Sequence, residues 1–253
     1  SSSGHLAIAE HFLGQAGVPA TPDFFDVLLH LGTLVAVFAA YWQDIRDMIV
    51  ELIDGVRDLV RGTTPNPIPP ARRMILLIIV GTLPLFVVLL VKDLVEGLSG
   101  NIYFVAGALI VTGFLLFASD RVKKGRKTER SAKLLDVLLV GIAQAIATCP
   151  GISRSGTTIT AGCFVGFDRK FAVRFSFLLS IPAVLGANIL TLKDAIQENS
   201  IIVSDIPVYL VGVAVAAVVG YICIRLLKMI ADKGKFGWFA YYCWAVGLIV
   251  LAL

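Results

Sequence analysis

Charge is what this chain is short of. Asp, Glu, Lys and Arg make up 16% of its 253 residues, while 57% are hydrophobic. The mean hydropathy is +0.86. A soluble domain of this length needs far more polar surface, so the composition implies a polytopic membrane protein. No Pro/Gly/Ser-rich linker divides the chain, and residues 1–253 read as one membrane domain. A net charge of +4 is small, and no basic face suits nucleic acid. The four cysteines, Cys149, Cys163, Cys223 and Cys243, form no CxxC pair and read as small thiols beside apolar segments. No histidine and carboxylate set has a recognisable metal-ligand spacing, which leaves any metal ligand unknown. A signal peptide is lacking, as is an initiator methionine. Because Ser1 already lies inside a motif, the natural N-terminus is expected to be missing.

What is present is long apolar runs. Residues 27–42, 74–91, 102–118, 171–192, 207–230 and 236–253 are each long enough, or nearly so, to cross a bilayer. Residues 3–14 are too short. Residues 134–166 are broken at Pro150-Gly151 and read as two half-helices that enter and leave on one side. The basic residues are distributed unevenly. Eighteen of the 22 Lys and Arg fall in 43–73, 119–133, 167–170 and 225–235, all read as connecting segments on the cytoplasmic side. The opposite connections, 15–26, 92–101 and 193–206, carry Lys92, Lys193 and seven acids. On this reading the C-terminus and the N-terminal apolar piece are external. The run from Arg121 to Lys127 reads as a cytoplasmic retention charge, with anionic lipid headgroups as a second reading.

The chain also repeats itself. Ser1 to Gly14 aligns with Ser153 to Gly166 at an offset of 152, with six of fourteen positions identical, including Ser-x-Ser-Gly. Each copy precedes three spanning segments, so the second copy is inverted relative to the first. Inverted repeats with broken helices place their site where the re-entrant tips meet, near the midplane. The expected fold is all-α, with six transmembrane helices and two re-entrant helical hairpins in an inverted-topology repeat. Repeat one covers about 1–118 and repeat two about 134–253.

Arg154 is the one deep cation. A guanidinium at membrane depth is costly and marks a functional site by default. Its planar fork suits two phosphate oxygens. The alternative is a structural arginine that ties off helix carbonyls. Ser153, Ser155, Thr157 and Thr158 offer hydroxyls, and the helix after Gly156 offers free N–H groups and a positive dipole end. Helix capping or close packing is the competing reading for each hydroxyl. At the other tip stand Ser1, Ser2, Ser3, Gly4 and His5. His5 is a candidate general acid or base, and a serine with a base in reach is a candidate nucleophile. A hydrogen-bonded structural histidine is the alternative. Glu10, His11 and His30 read as structural or pocket-lining. Asp136, Gln144 and Asn188 read as intramembrane polar residues that tie helices together. Trp238, Tyr241, Tyr242 and Trp244 read as an interfacial belt.

Ser1-Ser2-Ser3-Gly4-His5 and the run Pro150-Gly151-Ile152-Ser153-Arg154-Ser155-Gly156-Thr157-Thr158 resemble the two signature motifs of the undecaprenyl-diphosphate phosphatases, the bacitracin-resistance family of bacterial inner membranes. Phe25-Asp26-Val27, Leu31-Gly32-Thr33-Leu34 and Phe175 to Pro182 match as well. The resemblance covers essentially the whole chain. It implies removal of the terminal phosphate of undecaprenyl pyrophosphate, which recycles the lipid carrier for peptidoglycan. It also implies six spanning helices, two re-entrant hairpins and a cavity open to the periplasm. By the match, Ser2 is the candidate nucleophile, His5 the motif histidine and Arg154 the phosphate-binding arginine. Ser1, Ser3, Gly4, Ser153, Ser155, Gly156 and Thr157 would line the phosphate. The family's glutamate-rich motif lies a few residues before the first serine run, and this chain starts after it. Those carboxylates would activate a nucleophile or hold a divalent cation, Mg2+ or Ca2+. Expected partners are a polyprenyl pyrophosphate, membrane lipids and a second copy in a homodimer. The competing reading is a transporter or flippase for a phosphorylated lipid, which an inverted repeat equally suggests. A lipid phosphatase of the other common membrane class is disfavoured, because Thr160 stands where that class needs a histidine after Ser153-Arg154.

Overall fold

The computed structural model describes residues 1–17, 23–63, 65–197, 206–233 and 235–253. Among these the regular structure is helical, apart from one isolated bridge between Lys127 and Phe167. The helices are α1 (Ser2–Gln15), α2 (Asp23–Ala40), α3 (Trp42–Arg61), α4 (Pro70–Thr82), α5 (Leu85–Val88), α6 (Lys92–Gly97), α7 (Ile102–Ser119), α8 (Leu134–Ile146), α9 (Arg154–Phe164), α10 (Arg169–Gln197), α11 (Ile206–Lys233) and α12 (Gly237–Ala252). Among the described residues, four segments are long and apolar enough to cross a membrane: Pro70–Val91, Ile102–Ser119, Arg169–Gln197 and Ile206–Ala231. A fifth forms if Val27–Ala40 and Trp42–Arg61 count as one bent pair. α8 and α12 are shorter apolar helices.

Several boundaries follow from local chemistry. The Asn101 side chain caps α7 by accepting from the N–H groups of Tyr103 and Phe104, both at 3.1 Å. Such a cap is worth about 1 kcal/mol. α3 stops at Gly62, whose φ of 67° favours glycine. α4 starts at Pro70, where a missing N–H costs nothing. The break at Pro150-Gly151 is present as a turn between α8 and α9, with Gly151 at φ 90°.

The core is a cluster in which Val37, Leu77, Val137, Ile159, Leu178 and Leu179 meet from five helices. Phe167, Phe171 and Phe175 stack beside them, with centroids 4.8–5.9 Å apart. α7 packs on α12 and α2 on α11, both through glycines. A Cβ at Gly113 would run into the Trp244 ring, and one at Gly212 would lie 2.8 Å from Phe25. Small residues at such contacts let apolar helices approach where the hydrophobic effect gives no drive.

Several sequence expectations are corrected. Residues 43–73 were expected to be a connecting segment, yet residues 43–61 belong to α3 (Trp42–Arg61). Their charges line one face of the helix and hide it from a hydropathy reading. Asp136 does not tie helices within the membrane. Its carboxylate accepts from Lys127 Nζ at 2.8 Å and caps α8 through the Lys133 N–H at 2.9 Å. Trp244 sits within α12, and its ring N–H donates to the Ile110 carbonyl at 3.2 Å inside the α7–α12 contact. Asn188 bonds within its own helix, to the Val184 carbonyl at 2.8 Å. The connections expected at 15–26 and 193–206 fall partly outside the described residues. Their described parts belong mostly to helices α1, α2 and α10.

Gly113→Val should cost about 1–3 kcal/mol by overpacking against Trp244. On the same helix a Cβ at Gly107 meets nothing. Gly107→Ala should therefore hold or raise stability by about 0.5–1 kcal/mol. Thermal midpoints of the detergent-solubilised variants check the contrast.

Candidate functional site

The two signature motifs open two helices in the same way. Ser1 caps α1, its hydroxyl accepting from the Gly4 N–H at 3.2 Å. Ser153 caps α9, its hydroxyl accepting from the Gly156 N–H at 3.2 Å. Ser2 and Arg154 are each the first helical residue after the cap. The repeat in sequence is thus a repeat in capping.

These helix starts meet. A Cβ on Gly4 would lie 2.9 Å from the Gly151 Cα, so only glycine permits this approach. The Ser1 hydroxyl also donates to the Ile152 carbonyl at 3.4 Å. α7 backs the second tip. Thr112 donates its hydroxyl to the Gly151 carbonyl at 3.3 Å and accepts from the Ser153 N–H at 3.1 Å. Two helix N-termini, each carrying about half a positive charge, therefore abut. Arg154 adds a half-buried guanidinium with no ion-pair partner among the described residues. Such an arrangement attracts an anion.

The histidines are placed differently from the sequence expectation. Both nitrogens of His5 are engaged. Nδ1 lies 2.6 Å from the Ser1 carbonyl and must donate to it. Nε2 lies 2.8 Å from the Tyr242 hydroxyl, within hydrogen-bond reach. The ring next to the Ser2 hydroxyl is His30, with Nε2 at 3.4 Å. His30, read from the sequence as structural or pocket-lining, and Tyr242, read as a belt residue, thus take partners at separations of 28 and 237 residues that the sequence does not show. The three-dimensional fold alone pairs them.

The hydroxyls divide by partner. Ser3 shares a hydrogen bond with Ser1 at 3.2 Å. The Thr158 hydroxyl lies 2.5 Å from Ser176 and also donates to the Arg154 carbonyl at 2.9 Å, so it serves the fold. The Thr157 hydroxyl is buried without a partner, as is the whole side-chain amide of Gln144 in α8, among the described residues. A buried polar group left unpaired costs about 1–3 kcal/mol. Neither Ser155 nor Gly156 has lost its place at the start of α9.

Residues 1–249 match the family described as "Bacitracin resistance protein BacA". The chain belongs to that family. This BacA-family chain is 38% identical over 259 residues to a protein named undecaprenyl-diphosphatase in Methanosphaera stadtmanae, covering 100% of this chain and 91% of that one. It is 37% identical to the undecaprenyl-diphosphatase of Halothermothrix orenii, with 100% and 90% covered. It is 39% identical to that of Methanobrevibacter smithii, with 99% and 89% covered. Family and apolar helices together make it a multi-pass membrane protein.

Thr112→Val removes both bonds that hold the Gly151 turn. The expected cost is about 1–3 kcal/mol. Amide exchange over 149–156 should accelerate while α3 is unchanged. Unaltered exchange in that segment would mean that Thr112 does not hold the turn.

Proposed function

We propose that this chain hydrolyses undecaprenyl pyrophosphate to undecaprenyl phosphate and inorganic phosphate, at the junction of α1 and α9. The observation that carries the reading is the meeting of two helix N-termini beside an arginine that lacks a carboxylate partner. The BacA-family relatives named undecaprenyl-diphosphatase supply the substrate.

In this reading the diphosphate sits between the two tips. Arg154 and the N–H groups of both first turns hold its oxygens, with Ser3 and Ser155 as hydroxyl donors. Ser1 and Ser153 keep the helix starts in place, and Gly4 and Gly156 allow close backbone approach. Thr157 is a buried donor one turn deeper. Ser2 attacks the terminal phosphorus, and His30 accepts the serine proton. The bond to the bridging oxygen breaks, and undecaprenyl phosphate departs. Water then cleaves the phosphoserine and releases phosphate. Negative charge on the transferring group is met by Arg154 and by both dipole ends. His5 holds the first tip against α12 through Tyr242.

A divalent cation does not fit the described donors. Among the described residues no three His, Cys, Asp or Glu side chains gather, and the tips offer hydroxyls and a cation.

The proposed topology is six spans with α1 and the α8–α9 pair as re-entrant hairpins in inverted repeat. The matched capping at Ser1 and Ser153 supports it. The basic bias of the connecting segments supports an inner-membrane protein whose site faces the outside.

The test is release of free phosphate from a prenyl pyrophosphate by the purified protein in detergent, without a gradient. Ser2→Ala and Arg154→Ala should each slow release by roughly 10²-fold or more. His30→Ala should lower kcat by roughly 10²–10⁴-fold with little change in KM. Rates like the parent's in both Ser2→Ala and Arg154→Ala would remove the assignment. No release by a protein that also carries the family's glutamate-rich motif before the first serine run would favour the transport reading.

A further inference from the structure

We propose that α3 is a membrane-interface helix, with its apolar face seated in the headgroup–acyl boundary of one leaflet. The proposal stands on the chain being a multi-pass membrane protein and is independent of the hydrolytic reading.

α3 turns by 83° from the apolar helix before it. If α2 crosses the bilayer, α3 runs nearly parallel to the membrane plane. At 100° per residue, Ile45, Ile49, Leu52, Ile53, Val56 and Val60 fall on one face. Asp47, Glu51, Asp54 and Asp58 fall on the opposite one. Ile45 is buried in the core, but the stripe beyond it lies open, and Leu59 and Val60 are 81% and 82% exposed. An apolar stripe of this length is not left in water by a stable fold.

The neighbouring helix shows which way the stripe points. Arg72, in the first turn of α4, bonds the acidic side of α3: Glu51 at 3.1 Å and Asp58 at 2.8 Å. Ile75, about one turn further along α4, lines a groove of about 210 Å³ with Leu52, Val56 and Leu59. α4 begins the candidate span Pro70–Val91. The acids therefore sit level with the start of that span, and the apolar face lies further along its direction, toward the bilayer. The stripe meets α4 at Ile75, and Leu76 and Ile79 of the same helix are also exposed. Arg46 and Arg57 lie at the border of the stripe, where their stems can lie on lipid and their heads can reach phosphates. Trp42, exposed at the N-terminus of α3, has the ring type enriched at that depth. Charge order, orientation and contact with a spanning helix thus select lipid as the occupant.

Spin labels test this in the whole chain, reconstituted in vesicles of zwitterionic and anionic phospholipid. Cys149 and Cys223, the two cysteines that are not buried, are first replaced by serine. Labels at Ile49→Cys and Val56→Cys should collide with oxygen severalfold more, relative to a water-soluble nickel chelate, than a label at Asp54→Cys. Nickel accessibility at Ile49 and Val56 equal to that at Asp54 would overturn the proposal, since the face would then be bathed in water. Shielding from both reagents would also overturn it, since a protein surface such as a second copy would then cover the stripe.

Discussion

Gly4 and Gly151 touch with no room for a side chain between them, and the rest of the candidate site depends on that contact. A single methyl group on Gly4 would force the two helix starts apart. Gly151 is constrained from behind as well, because a Cβ there would meet the Val105 carbonyl and Ala108 of α7. Its φ of 90° suits glycine on conformational grounds too. The second tip is therefore held by α7, and the first tip rests on the second.

This junction is electrostatically lopsided. Two positive helix ends and a guanidinium share one small region, with little to balance them. Like charges held together in surroundings of low polarity repel more strongly than in water. Packing at a distance keeps them there: the Thr112 bonds, the Thr158–Ser176 contact and the glycine-lined seam between α7 and α12. A polyanion bound there would relieve the repulsion. The affinity of such a site resides in the fold as much as in any single contact.

The chain shows some of this plainly and hides the rest for physical reasons. The half-helices around Pro150-Gly151 are legible, because a proline and a glycine break an otherwise apolar run. Capping at both tips is legible too, since Ser-x-Ser-Gly recurs at a fixed offset. α3 escapes a hydropathy reading because its charges cancel its leucines and valines on average, although its helical period is present in the sequence. Asp136 looks intramembranous until Lys127, nine residues earlier, is seen to reach it. His30 reads as pocket-lining because nothing local marks it; Ser2 approaches it only after the chain turns between α1 and α2. Tyr242 has the composition of a belt residue and acquires another partner through its hydroxyl. Thr112 lies in a plain apolar helix and shows its role only through the backbone it touches.

His5 links α1 to a helix more than two hundred residues further along the chain. Its ring is held at one nitrogen by the Ser1 carbonyl and at the other by Tyr242 in α12. During synthesis the first tip therefore waits for α12 to be inserted before its histidine is fixed. A nascent chain arrested before α12 would hold every tip residue while the His5 ring still lacked its Tyr242 partner.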